Sequence, residues 1–232
     1  MAPPQQKPRT LVLKPLGEML LLYLLLFGSG LVSQGTYPDR IPLSLDREII
    51  RIFAYALPAL GFIWYRLCRY PLPQSSWVQG LLKPRVQDLL ALGIALLGLG
   101  SIGFCLALAG PRLAPYIQLS PSPDVEAPQS LLAWVIILGS CFATGYLEES
   151  YFRVYLLLRL KEAGIGTGKR VFLSCLLFSL CHTYEGPWGI LQAALAGMVL
   201  SLVFIQRHAF HGIAWAHGAY NALVYLMASV DR

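Results

Sequence analysis

Hydrophobic residues along this chain come in long unbroken runs separated by short polar stretches. The runs cover about Leu16–Ser33, Ile49–Cys68, Val86–Gly110, Leu131–Leu147, Arg170–Tyr184, Gly189–Gln206 and Gly212–Val230. Most approach the ~20 residues that a helix needs to cross a ~30 Å hydrocarbon core. In that medium only helices or closed barrels satisfy every backbone polar group. The pattern therefore predicts an all-α, polytopic transmembrane helix bundle of seven spans, with room for an eighth because the third and fourth runs are long. The fourth run continues past Glu148 to Leu160, which at 1.5 Å per residue gives a helix of roughly 45 Å. Such a helix must tilt, bend or leave the membrane near the glutamates, and Gly145 is the expected weak point, with Tyr151–Leu160 as a cytoplasmic half.

Polar stretches set orientation. Lys7, Arg9 and Lys14 precede the first run, Arg66, Arg69, Lys83 and Arg85 separate the second from the third, and Arg159, Lys161, Lys169 and Arg170 follow the fourth. The alternate connections carry less excess positive charge, which places the N-terminus on the cytoplasmic side. Tyr70–Trp77 is turn-rich and is expected on the membrane interface. The Pro- and Ser-rich stretch Pro111–Gln129 is expected to be irregular. No internal repeat is visible. The chain reads as a single integral-membrane domain over residues 1–232.

Composition agrees with this reading. Hydrophobic residues are 56% and charged residues 13% of the 232, and mean hydropathy is +0.58, too apolar for a water-facing surface. The net charge of +6 sits at the run ends, which fits topology and anionic lipid and argues against nucleic acid as a partner. Cys68, Cys105, Cys141, Cys175 and Cys181 are scattered in or beside the runs and read as small apolar residues. Glu18 and Arg51 near run ends are expected to snorkel. His208 and His211 read as interfacial, and Tyr184 with Trp188 as part of an aromatic belt.

Against this background a few polar residues stand out. Glu148 and Glu149 lie inside the fourth run with Arg153 beyond them, and one ionised group at the bilayer centre costs at least ~2.5–3.5 kcal/mol. His182, His217 and Asn221 fall inside later runs. Counting inward from the cytoplasmic charges gives 11 residues from Arg159 to Glu148, 12 from Arg170 to His182 and 10 from Arg207 to His217. These convert to depths of roughly 16, 18 and 15 Å, one level near the midplane. The coincidence favours one assembled site over independent structural histidines.

Helical spacing assigns partners. Glu149 and Arg153 are four apart and read as a structural ion pair, with Glu148 about 100° away and free for another role. His217 and Asn221 share a spacing of four, as do Phe178 and His182. Two chemistries fit. Glu148 activates water with help from His182, while His217 and Asn221 donate to an oxyanion. Alternatively, zinc is held by ligands drawn from Glu148, Glu149, His182 and His217. The H-E-x-x-H signature is absent and asparagine is a poor zinc ligand, so the metal-free site is favoured and no cofactor is required; zinc stays open. Glu185 is left outside the site, in a loop set by Gly186 and Pro187.

Glu148, Glu149 and Arg153, then Phe178 and His182, then His217 and Asn221 resemble, in order, the motifs E-E-x-x-x-R, F-x-x-x-H and H-x-x-x-N of the CPBP family. That family comprises type II CAAX prenyl endopeptidases and bacteriocin-processing or abortive-infection proteins. The resemblance runs from Glu148 to Asn221 and places the motif-bearing core at residues 131–230. It implies an intramembrane endopeptidase with Glu148 as base, His182 as its water-orienting partner and His217 with Asn221 as the oxyanion site. Glu149, Arg153 and Phe178 have supporting places in it. The partner implied is a membrane-associated protein or peptide in the lipid bilayer: a prenylated C-terminal tail, a leader peptide or a sorting anchor. The charge pattern points to a bacterial inner membrane. Two other classes share these residues: a silent scaffold or immunity protein, and a proton-coupled transporter, which the missing repeat disfavours.

Overall fold

Each hydrophobic run contributes one helix. The computed structural model describes residues 9–32, 40–69, 78, 80–117 and 124–230. Among these the long helices are α1 (Arg9–Val32), α2 (Leu45–Arg69), α3 (Val86–Ile117), α4 (Leu131–Glu162), α5 (Thr167–Leu180), α6 (Gly186–Arg207) and α7 (Phe210–Val230). Two short strands, β1 (Arg40–Ile41) and β2 (Asp124–Val125), pair in parallel and join the α1–α2 connection to the α3–α4 connection. The fold is an all-α bundle, and leucines such as Leu25, Leu97 and Leu131 are exposed on its outside, as an apolar solvent allows.

The helices occupy the expected places, but they are not equal as spans. Four segments are long and apolar enough to cross a membrane: Leu45–Arg69, Val86–Arg112, Leu131–Glu162 and Thr183–Arg207. The apolar part of α1, Leu16–Leu31, is shorter. α5 has 14 residues, roughly 21 Å against a ~30 Å core, too short to cross it alone. Pro111–Gln129 is only partly irregular, because α3 runs on to Ile117. Tyr70–Trp77 lies outside the described residues.

α4 resolves its excess length differently from the expectation at Gly145. No break occurs there. Instead the helix passes through a π-helical turn at Ser150–Tyr155 and continues. Gly145 serves close packing: a Cβ on it would lie 3.0 Å from the Gly218 nitrogen and 3.1 Å from the Ala214 carbonyl oxygen. Small residues on both sides thus let α4 and α7 meet backbone to backbone. Beyond Glu149, every residue from Ser150 to Leu160 is buried. A helix buried on all faces is the central strut of its bundle, so Tyr151–Leu160 is core. Around it, Tyr23, Phe27, Tyr151 and Phe152 pack ring on ring, with centroids 4.9–6.4 Å apart.

Charges assigned to snorkelling have partners in the fold. Arg66 pairs with Glu18 at 2.8 Å, and the Tyr155 hydroxyl donates to the same carboxylate at 2.8 Å. Glu48 is buried, accepts from the Ser140 hydroxyl at 2.5 Å and pairs with Arg51 at 3.0 Å. The His211 ring lies 2.9 Å from the Tyr146 hydroxyl, packed among aromatic rings. Asp88, also buried, accepts from the Gly212 amide at the start of α7 and from the Arg85 amide. This carboxylate satisfies an orphan N–H of α7 and fixes the α6–α7 turn onto α3.

Candidate active site

Two carboxylates leave α4 side by side at its last regular turn. Glu149 is fully buried, and its Oε2 lies 3.0 Å from Nε of Arg153, also fully buried. The guanidinium carbon sits 4.4 Å from the Phe178 ring centroid, so an apolar, electron-rich face covers the cation where water is excluded. The other Glu149 oxygen, Oε1, is 2.8 Å from Nδ1 of His217 on α7. Nε2 of the same imidazole is 3.5 Å from Oε2 of Glu148. His217 therefore stands between both glutamates. The sequence reading gave Glu149 to Arg153 alone; the structure adds His217 as its second partner.

α5 brings the second histidine through the way it ends. The helix closes at Leu180, and the Cys181 amide donates back to Leu177 and the His182 amide to Ser179. His182 is therefore outside the helix, with φ −104° and ψ 16°, in the sparsely occupied bridge region where active-site residues are often found. A turn of 3-10 helix, Thr183–Glu185, leads to Gly186, whose φ of 77° favours glycine. Irregular backbone at membrane depth is tolerated only where it is buried in protein or lines a cavity. Nδ1 of His182 lies 2.7 Å from the Phe178 carbonyl oxygen. When Nδ1 donates to that oxygen, Nε2 presents its lone pair outward.

Phe178 links the two imidazoles, its ring 4.7 Å from that of His182 and 5.8 Å from that of His217. The structure thus brings Glu148, Glu149, Arg153, Phe178, His182 and His217 together. Asn221 lies one turn beyond His217 on α7, partly exposed, and among the described residues no hydrogen bond holds its amide.

Two neighbours were missed. Tyr184 stacks on His182, centroids 6.1 Å apart with planes at 23°, and so borders the site. Glu185, next to it, lies within electrostatic reach of Cys181, Tyr184 and Tyr220. Their signal in the sequence was adjacency to His182, which helical spacing could not convert into contact once the helix had ended.

Among the described residues, no group of three or more His, Cys, Asp or Glu side chains is placed to hold a metal ion. In the set considered for zinc, both oxygens of Glu149 and Nδ1 of both histidines face other partners.

No curated protein and no solved structure matches the chain. Residues 129–223 match the family described as Type II CAAX prenyl endopeptidase, Rce1-like. The match includes the second, buried part of the bundle and every residue of the site. Over this segment the chain is similar to the type II CAAX prenyl endopeptidases, and among the described residues four helices are long and apolar enough to cross a membrane.

Proposed function

We propose that this protein cleaves a peptide bond within the membrane by glutamate-activated water, without a metal. The observation that carries the reading is the His217 imidazole held between Glu149 and Glu148, beside a second imidazole whose Nδ1 is held by the Phe178 carbonyl. Glu148, assisted by His182, takes a proton from water as its oxygen attacks the peptide carbonyl. The oxyanion that forms accepts hydrogen bonds from Nε2–H of His217 and from the Asn221 amide. Glu148 then gives the proton to the departing nitrogen as the C–N bond breaks.

Charge balance supports these roles. Glu148 and Glu149 place two negative charges against the single cation of Arg153. A second proton on His217 makes the group neutral, the arrangement that costs least in a dry interior. Glu149 opposite Nδ1 stabilises that imidazolium, and Nε2–H is then the donor the oxyanion needs. The substrate class that fits is a membrane-associated protein or peptide whose cleaved bond lies close to the bilayer midplane, with the N-terminus of the enzyme on the cytoplasmic side.

Glu148→Gln tests the assignment, because it keeps size and hydrogen bonding but removes the base. Loss of a general base lowers turnover by ~10²–10⁴-fold. Cleavage of a natural tail peptide by purified Glu148→Gln protein at a near-normal rate would rule the mechanism out.

A further inference from the structure

α1 lies outside the matched residues 129–223, yet it is stitched to the turn that carries His182. The Thr183 hydroxyl donates to the carbonyl oxygen of Gly30, and Thr183 is buried. At Gly30 a Cβ would overlap the carbonyl of Cys181, so helix and turn touch on both sides of His182, through backbone at Cys181 and through the side chain at Thr183. α1 is itself fastened along its length. The Tyr151 hydroxyl donates to the Met19 carbonyl at 2.7 Å, the Tyr55 hydroxyl to the Leu26 carbonyl at 2.5 Å, and the Tyr23 hydroxyl to the Leu177 carbonyl at 2.9 Å. Positions 19, 23, 26 and 30 recur every three or four residues and so lie on one helix face.

We propose that Thr183 is a positioning residue: anchored to Gly30 of α1, it fixes the turn so that Nε2 of His182 points at the water Glu148 activates. The turn has little regular structure of its own. Its amides make short-range bonds, Cys181 to Leu177, His182 to Ser179 and Glu185 to His182, and these leave its tilt against the bundle undetermined. The bond to α1 supplies that missing coordinate. The ring bond from His182 to the Phe178 carbonyl then sets which nitrogen faces outward. This inference rests on the role given to His182 above, so it needs a readout independent of cleavage.

The test compares Thr183→Val, which removes the hydroxyl, with Thr183→Ser, which restores it. Thr183→Ala is run alongside, so that the measurement survives if the valine variant does not fold. Purified full-length protein in detergent is assayed for kcat and KM on a tail peptide. Its four histidines are also observed by imidazole 15N NMR, with His182→Gln to assign the signal. The expected result is a fall in kcat of ~10–10²-fold for Val and Ala, the scale of a ~1 Å misplacement. KM should stay near the parent value, and Ser should restore kcat. The His182 imidazole signals should move in Val and Ala and return in Ser. Unmoved His182 signals in a folded Val or Ala variant overturn the proposal, as does a loss in which KM and melting follow kcat. If the parent protein shows no Glu148-dependent cleavage, the proteolytic reading falls, while the imidazole spectra still decide the role of Thr183.

Discussion

Replacing Glu149 by glutamine separates the two partners that its carboxylate serves. The Oε2–Arg153 contact of 3.0 Å corresponds to a gross attraction of ~5.5 kcal/mol at an effective dielectric of ~20. Removing one member of a fully buried pair typically costs ~3–5 kcal/mol, since the other is left as an uncompensated charge. With ~2–4 °C of melting temperature per kcal/mol for a chain of this size, Glu149→Gln should melt on the order of 10 °C lower. The amide oxygen can still accept from Nδ1 of His217, at 2.8 Å in the parent, but it no longer stabilises the imidazolium. Losing the carboxylate behind a catalytic histidine costs up to ~10⁴-fold in turnover.

A second substitution then tells stability from chemistry. Arg153→Met in the Glu149→Gln background removes the orphaned cation and fills its place beneath Phe178 with an apolar side chain. Melting should recover most of the loss, while kcat per folded molecule stays low. Both are measured on detergent-purified protein, with the folded fraction determined by size-exclusion chromatography. Glu149→Gln melting like the parent would refute the buried-pair reasoning. Recovery of kcat together with stability in the double variant would refute the role of Glu149 toward His217 and leave it a charge partner of Arg153 only.

Other outcomes follow from the same geometry. Asn221→Ala should lower kcat by ~10²–10³-fold with little change in substrate affinity, as for one oxyanion donor; a parallel loss of affinity and melting, with kcat per folded molecule kept, would make the residue structural. Metal analysis of active protein should find no stoichiometric zinc, and exhaustive chelation should leave cleavage intact; a tight 1:1 zinc whose removal and return switch activity would overturn the metal-free mechanism. Gly145→Leu should cost more than ~1–3 kcal/mol by overpacking against the backbone of Gly218 and Ala214. Gly17→Leu, where a Cβ meets nothing within 4 Å, should leave melting unchanged; equal effects would show that the α4–α7 contact is looser than described.

The helix positions were legible because membrane solvent imposes one rule on every span, and residues such as Arg170 and Arg207 mark their ends. Glu149–Arg153 was legible because both groups lie on a single helix with known periodicity. What helical periodicity hid was any contact that depends on where a helix stops or widens. Glu148 and Glu149 were placed 100° apart, yet an imidazole carries two nitrogens, and His217 spans the gap between adjacent side chains. His182 was read as the top of a helix, whereas α5 ends at Leu180. Tyr184 and Thr183 acquire neighbours only through that early ending. Arg51 and Glu18 looked like snorkelling residues because Glu48 as a local partner and Arg66 as a distant one have no signature beyond their charge.

The early end of α5 and the π-helical turn of α4 answer one physical demand. The hydrolytic site proposed above would need room for water and polar groups that regular, fully packed spans do not leave. Ending α5 at Leu180 frees the backbone of Cys181–Glu185 from regular helix, and Cys181 and Thr183 are buried within the bundle. The π turn at Ser150–Tyr155, a feature frequent at functional sites, starts directly after Glu149 and carries Arg153 while the helix stays continuous. It gives α4 the rigidity of an unbroken strut directly behind the two carboxylates. One helix is cut short to open the site and the next is kept whole to hold it. The charged residues then sit where the bundle, and not the lipid, is their solvent.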